Sequence, residues 1–235
     1  MASIKVGDVF TTNQGGDIQV IFYKNAKRIR VKFLDKHGYE KDCASGEIHS
    51  GEIKNPYRIS FFGVAYLGAG KFETRNGKKS TNAYSVWRAM LARCYGDNKS
   101  YQGVYVCSQW LSFQNFAEWY YSQEADNGYH LDKDLLSKDS KVYSPKTCIL
   151  LPQIINNALV KYRGDNYKPE ARGSRYYARI CTRSRSRRIG SFASEQDAIT
   201  AYEKAKESYI RELAQEWRGR IDERAYDALM NWTVS

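Results

Sequence analysis

The chain has 235 residues, with 37 lysines and arginines against 26 aspartates and glutamates, so its formal net charge is +11. A chain of this charge is attracted to polyanions, because each phosphate that it neutralises releases condensed counterions. The sequence has no apolar run that could span a bilayer and no basic amphipathic helix with an apolar face. We expect no secretory signal, because residues 1–10 lack an apolar core. Composition therefore favours a nucleic-acid partner over a membrane.

The N-terminal quarter of the chain is predicted to be rich in short strands. Its β-branched and aromatic runs are separated by turn signals such as Asn13–Gly16 and His37-Gly38. This spacing is typical of a small antiparallel barrel or a highly curved sheet, and we assign residues 1–62 to a small β-barrel-like domain. Residues 63–82 are rich in glycine, lysine and asparagine and are interpreted as a linker. The predicted strand runs are Val9-Phe10, Ile18–Tyr23, Ile29–Phe33 and Ile48–Ile53.

The rest of the chain mixes helical and strand periods. Apolar residues recur with helical spacing over residues 83–96 and again from Trp110 to Tyr121. Two strand-like runs, Tyr176–Thr182 and Arg187–Phe192, are followed by a helix with Ser194 as its N-cap. The expected fold class is therefore α+β and multi-domain.

An arginine-dense stretch lies within residues 171–192, which contain seven arginines and no acidic residue. On a strand, alternation places Arg175, Tyr177 and Arg179 on one face and the intervening tyrosine, alanine and isoleucine on the other, against the helix. A small sheet fits the DNA major groove, where arginine can bind guanine O6 and N7 together. The alternative is a solvated basic face that binds anions weakly. The predicted DNA-contacting residues are Arg172, Arg175, Tyr177, Arg179, Arg183, Arg185, Arg187 and Arg188.

The motifs of this stretch resemble the APETALA2-type DNA-binding domain. They are the strands Arg175–Ile180 and Arg188–Phe192, which fit a Tyr-x-Ala-x-Ile and an (Ile/Leu)-Gly-x-Phe pattern, and the helix Glu195–Tyr202, whose Glu-x-x-Ala-x-x-Ala-Tyr spacing is close to the family's Glu-x-Ala-x-x-Ala-Tyr. The resemblance implies a three-stranded sheet that enters the major groove, with a helix behind it. Phage and homing-nuclease proteins often carry this module near the C-terminal end. We therefore assign residues 166–221 to an APETALA2-like domain and residues 222–235 to a C-terminal tail.

The central segment is similar to a divergent HNH-nuclease family of phages. The resemblance implies a ββα-metal hairpin and helix, an HNH-like domain over residues 83–162. The pieces that carry it are Trp87–Tyr95, Val104–Trp110 with Phe113 and Phe116, Leu131–Asp134, Tyr143–Cys148 and Asn156-Asn157.

The same resemblance implies a divalent-metal site for Mg²⁺ or Mn²⁺. Asp132 matches the family's metal-ligand aspartate, and either Asn156 or Asn157 matches the distal ligand. The general-base histidine that usually follows that aspartate is Lys133 here, and a protonated lysine is a poor base unless it is buried. His130 precedes Asp132 by two residues, so both side chains point the same way on a strand, and His130 is the alternative base. Its other interpretation is a structural histidine. The catalytic candidates are His130, Asp132 and Lys133.

Three functions follow from these features. The first is a sequence-recognising HNH-type endonuclease or nickase of phage or mobile-element origin, and the second is a DNA-binding regulator or host-function inhibitor on a degenerate nuclease scaffold. The third is an RNA-binding or protein-inhibiting factor. The expected partner is double-stranded DNA, with a host protein as partner for an inhibitor, in the cytoplasm of a phage-infected bacterium. Lys5–Phe10 loosely resembles small barrels that precede this module, which implies an accessory DNA-contact domain.

Overall fold

The structure, a computed structural model, describes residues 3–123, 125, 128–138, 140–159, 168–183 and 185–234. It has the mixed α/β character that the sequence predicted, with helices and several small sheets. The chain divides into two compact units. Unit 1 comprises Met1–Phe72 and Leu111–Gln114, and unit 2 comprises Glu73–Trp110 and Asn115–Ser235. Within the described ranges, none of the helices has both the length and the apolar character that crossing a membrane requires.

Unit 1 is built on four antiparallel strands that neighbour one another in chain order. Apolar residues of the two central strands alternate with polar ones, and Ile18, Val20 and Val31 are almost fully buried in the core of the unit. The strands are β1 (Val9–Thr11), β2 (Asp17–Asn25), β3 (Arg28–Phe33) and β4 (Glu40–Cys43).

The structure corrects two predictions for unit 1. In the described part of the chain β1 and β4 are the edges of the sheet, so the predicted barrel is an open sheet. The run Ile48–Ile53, predicted as a strand, instead begins in helix α1 (Ser45–Ser50). The carboxylate of Glu47 accepts a hydrogen bond from the Ala44 N–H, which caps this helix, and Gly51 ends it in the left-handed conformation.

The segment predicted as a linker, residues 63–82, contains a short hairpin. Its strands are β5 (Arg75–Asn76) and β6 (Lys79–Ser80), and Gly77 between them has a φ of 60°. The change from unit 1 to unit 2, after Phe72, falls within the same segment.

Unit 2 begins at Glu73 with the β5–β6 hairpin and continues through helix α2 (Asn82–Tyr95) and short strands. The helical periods of residues 83–96 and 110–121 correspond to α2 and α3, although a short 3₁₀ helix, Ser108–Leu111, precedes α3. Trp87 of α2 is buried and donates its indole N–H to the Trp110 carbonyl at 2.7 Å. The elements in order are α2 (Asn82–Tyr95), β7 (Tyr105–Val106), α3 (Phe113–Ser122), β8 (His130–Asp132), β9 (Val142–Tyr143), β10 (Ile149–Leu151) and α4 (Gln153–Leu159).

The C-terminal part of unit 2 is a three-stranded antiparallel sheet with two helices. Its core joins residues of the preceding hairpin and helix, such as Leu151 and Ile155, to Ile180 of the sheet and to Leu213 and Leu229 of the helices. The predicted boundary between the HNH-like domain and the APETALA2-like domain, around residues 160–167, lies outside the described residues. The elements are β11 (Glu170–Arg172), β12 (Arg175–Thr182), β13 (Arg185–Phe192), α5 (Glu195–Glu216) and α6 (Glu223–Met230).

Candidate nucleic-acid interface and candidate metal site

Helix α5 fixes the orientation of the arginine-bearing sheet. The hydroxyl of Ser194 accepts the Asp197 N–H at 3.1 Å, so the predicted N-cap is confirmed. The helix packs against β12 and β13, and Ala178 and Ile180 of β12 are buried on the side that faces it. Because strand side chains alternate, the opposite side of β12 is left outward.

A β-bulge in β13 decides which arginines share the outward side. Ala178 pairs with Gly190, but Arg179 pairs with Arg188, so Ile189 is an extra residue. In an unbroken ladder Arg188 would lie opposite Ile180, on the buried side. The bulge therefore places Arg188 on the outward face beside Arg179.

The outward face carries two pairs of arginines that lie directly opposite each other. Arg172 pairs with Arg175, and Arg179 pairs with Arg188. Like charges directly opposite each other destabilise a sheet. The ring of Tyr177 lies between the two pairs, with the guanidinium of Arg188 at 4.7 Å and that of Arg172 at 5.8 Å from its centroid. This cation–π contact offsets part of the repulsion and holds the arginines over one ring.

Two further contacts order this face. Arg175 donates to the carbonyl and the hydroxyl of Ser191 at 2.8 Å and 3.0 Å, which directs its guanidinium along the sheet. Arg172 forms an ion pair with Glu170 at 2.7 Å, and both side chains are about half exposed. An ion pair this exposed contributes little to stability, so a phosphate can replace the carboxylate.

The remaining predicted DNA-contacting arginines lie elsewhere, although all three are exposed. Arg187 pairs with the buried Ile180 and Arg185 pairs with Thr182, which places both on the side of the sheet that faces α5. Arg183, at the end of β12, forms an ion pair with Glu216 of α5. The structure therefore brings four of the seven arginines together with Tyr177 and separates the other three.

The candidate metal site lies on a hairpin that is followed by a helix. Strand β8 pairs with β10 antiparallel, with His130 opposite Leu151 and Asp132 opposite Ile149. Helix α4 begins directly after Pro152 and brings the amide nitrogen of Asn156 to 3.5 Å from Nδ1 of His130.

The two asparagines that matched the distal ligand differ in position. Asn156 lines a cavity of about 620 Å³ that Asp132 also lines. Asn157, the next residue on α4, is exposed and does not line that cavity. Of the two, Asn156 shares a space with Asp132.

Asp132 is partly buried and organises the turn after β8. Its Oδ1 accepts the N–H groups of Leu135 at 2.8 Å and Asp134 at 3.0 Å. Burial raises the pKa of Asp132 above its ordinary value, against the opposing effect of these hydrogen bonds. A carboxylate that burial disfavours in its charged form gains from a nearby cation.

Lys133 does not face the cavity as a free amine. Its ammonium forms an ion pair with Asp134 and donates to the Ser140 carbonyl at 3.0 Å, and its side chain is 11% exposed. Both contacts hold the ammonium away from the position that a base would need.

Several residues around Asp132 carry no role in the sequence-based prediction. Burial raises the pKa of Tyr143, so its phenol stays neutral beside the Arg93 guanidinium to which it is hydrogen-bonded. Arg93 lies within the segment Trp87–Tyr95 that resembles the nuclease family. Its place in that segment was the one sequence signal that could have pointed to it. The further side chains that line the cavity include Arg93, Tyr101, Lys138, Tyr143, Asn231 and Trp232.

The donor set around the cavity is sparse. Among the residues that the structure describes, no group of three or more His, Cys, Asp or Glu side chains could hold a metal ion. Asp132 and Asn156 offer one carboxylate and one amide oxygen. Mg²⁺ accepts such a sparse set of oxygen ligands because it keeps most of its water molecules.

Comparisons with protein-family models, with curated proteins and with solved structures found no match for this chain.

Proposed function

We propose that the protein binds double-stranded DNA in a sequence-recognising manner through the outward face of β11–β13. The observation that carries the proposal is the arrangement of two opposed arginine pairs around Tyr177. The like charges within each pair repel each other, and phosphates or guanine edges bound at this face would relieve that repulsion. A net charge of +11 supplies the general attraction to the duplex. The proposed setting is the cytoplasm of a phage-infected bacterium.

The proposal is tested by duplex binding over a range of salt concentrations. We expect Arg179→Ala and Arg188→Ala each to weaken binding, and each to reduce the slope of log K against log salt by about 0.9 if it removes one phosphate contact. An arginine that binds guanine would instead cost about 1–3 kcal/mol and relax the sequence preference.

Arg187→Ala is the matched control, since it removes the same charge from the neighbouring position on the other side of β13. We expect it to weaken binding less than Arg188→Ala does. Equal losses for the two variants would reject the outward face as the contact surface and leave only a general effect of charge.

A second candidate function, an HNH-type endonuclease or nickase, is supported by the β8–β10–α4 arrangement. It places His130 next to Asn156, and Asn156 and Asp132 around one cavity. A divalent cation held by Asp132 and Asn156 would place positive charge next to the scissile phosphate and the leaving oxygen. The amide nitrogen of Asn156 lies 3.5 Å from Nδ1 of His130 and orients the imidazole, which is the side chain that would take a proton from water.

The alternative to the nuclease is a DNA-binding regulator or inhibitor on the same scaffold. The observation that favours it is the position of Lys133, where the related family has its base. The lysine is engaged in an ion pair with Asp134 and a hydrogen bond to the Ser140 carbonyl. Catalysis then depends entirely on His130.

A plasmid-nicking assay with Mg²⁺ or Mn²⁺ separates these two candidates. We expect His130→Ala to lower the rate by about 10²–10⁴-fold, the usual contribution of a general base, and Asp132→Ala to abolish cleavage. Asn156→Ala should impair cleavage, and Asn157→Ala is its matched control because Asn157 is exposed on the same helix. A wild-type protein that binds duplex DNA and cleaves none with either metal would reject the nuclease and leave the regulator.

A further inference from the structure

The tip of the β2–β3 hairpin in unit 1 exposes the aromatic rings of two consecutive residues, of which Phe22 pairs with Arg30 and Tyr23 pairs with Ile29. Every residue from 22 to 28 is exposed. Phe22 is 53% exposed and Tyr23 is 41% exposed. An aromatic ring in solvent gives up the favourable free energy that burial provides, so folding does not account for these two positions.

A β-bulge produces this exposure. Val20 pairs with Val31 and Phe22 pairs with Arg30, so Ile21 is an extra residue in β2. Regular alternation would place Phe22 on the same side as Val20, which is buried. The bulge turns Phe22 to the other side of the sheet, where its cross-strand neighbour is an exposed arginine.

The same hairpin is basic. Residues 18–34 contain five lysines and arginines and no aspartate or glutamate. Arg30 is neutralised by Asp42 of β4 at 2.7 Å. Lys24, Lys27 and Arg28 form no salt bridge with any residue that the structure describes. Lys24 and Lys27 therefore remain as cations near the two exposed rings, and Arg28 lies within electrostatic reach of Asp42.

We propose that this hairpin tip binds single-stranded DNA, with Phe22 and Tyr23 stacking on unpaired bases and Lys24, Lys27 and Arg28 contacting the phosphates. Exposed rings beside cations are the chemistry that recognises a single strand, because every base has a face on which a ring can stack. In a duplex those faces are covered by neighbouring base pairs. An acidic protein segment would engage the cations but gives no reason for the two rings. The choice of DNA over RNA rests on the proposed function, which brings this chain to DNA.

The test is fluorescence anisotropy with a labelled oligothymidylate of about 12 nucleotides, within the usual site size of such surfaces. Phe22→Leu keeps an apolar side chain and removes the ring, and we expect it to weaken binding by about 5- to 150-fold. Phe22→Tyr keeps the ring and should bind as the wild type does. Leu34→Ala is the matched control, since Leu34 is also 53% exposed in unit 1, and it should leave binding unchanged.

Three results would overturn the proposal. The first is a Phe22→Leu variant that binds the oligonucleotide as tightly as the wild type, since stacking would then contribute nothing. The second is tighter binding of an oligouridylate of the same length, which would reject DNA as the ligand. The third is loss of oligonucleotide binding in the Arg179→Ala, Arg188→Ala double variant, because the strand would then occupy the arginine face.

The same variants keep this proposal and the proposed function distinguishable. If the double variant loses duplex binding and keeps oligonucleotide binding, both are supported. If the wild type binds no duplex and its oligonucleotide binding still depends on the ring of Phe22, only the duplex-binding proposal fails.

Discussion

Asp132 is the side chain at which stability and the candidate chemistry conflict. Burial raises its pKa above the ordinary 3.8, although the N–H groups of Leu135 and Asp134 favour the charged form. The ionised carboxylate therefore costs folding free energy. That cost is absent below the unfolded-state pKa and is complete above the folded-state pKa. We predict that Asp132→Asn raises the melting temperature at neutral pH, because its amide oxygen keeps both hydrogen bonds without the charge. The gain should shrink as the pH falls towards 3.8.

Thermal unfolding between pH 4 and pH 7 checks this prediction, with Asp97→Asn as the control because Asp97 is exposed on the loop after α2. Added Mg²⁺ gives a second readout. If Asp132 helps to hold the cation, Mg²⁺ should raise the melting temperature of the wild type and leave that of Asp132→Asn unchanged. A variant that is less stable than the wild type at pH 7 would contradict the argument.

Some positions of individual side chains could be predicted from the sequence, and others could not. Strand alternation correctly placed Ala178 and Ile180 inside and Arg175 and Arg179 outside. Once two apolar residues of the strand pack against the helix, alternation determines the side of all their neighbours. It could not place Arg188, since its side depends on an extra residue that no residue type signals. The ion pair that holds Lys133 likewise depends on a turn whose geometry Asp132 sets.

At the scale of elements, strong periodicity gave reliable predictions and charged or short segments did not. Helices α2 and α5 have apolar residues at helical spacing over several turns, and both lie where the sequence predicted them. Strand β4 has the sequence Glu-Lys-Asp-Cys, which contains no strand signal, and it forms because β3 offers it an edge. Ile48 and Ile53 are both buried. Ile48 lies in the short helix α1 and Ile53 lies in the segment after it, and the spacing of the two isoleucines does not distinguish this arrangement from a strand.

Both of the larger sheets contain a β-bulge that turns a side chain outward. A bulge in β2 turns Phe22 outward beside Arg30, and a bulge in β13 turns Arg188 outward beside Arg179. Each bulge changes the face of the residue that follows it in its strand, and β2 has a second register shift between Tyr23 and Asn25. In both sheets the result is an exposed face where arginine and an aromatic ring are neighbours. Both candidate surfaces for nucleic acid therefore depend on irregular pairing, which the regular strand pattern of the sequence does not reveal.

At the scale of the whole molecule, each unit has a hydrophobic core of its own. The core of unit 1 lies on its four-stranded sheet. The core described in unit 2 joins β10 and α4 of the candidate metal site to β12, α5 and α6. The two candidate activities of unit 2 are thus supported by one set of packed side chains, so we expect them to lose their structure together.

Leu213 tests this expectation, because it is almost fully buried in the core that these elements share. Leu213→Ala should destabilise unit 2 by about 2–5 kcal/mol, through the lost burial of the side chain and the cavity left behind. Hydrogen exchange followed by mass spectrometry should then show faster exchange in β8 and β10 as well as in β11–β13, with β1–β4 unchanged. Val31→Ala, in the core of unit 1, is the reciprocal control and should accelerate exchange in β1–β4 alone. Faster exchange in β11–β13 without any change in β8 and β10 would show that the sheet and the hairpin unfold independently, and the candidate metal site would then not depend on the arginine sheet for its stability.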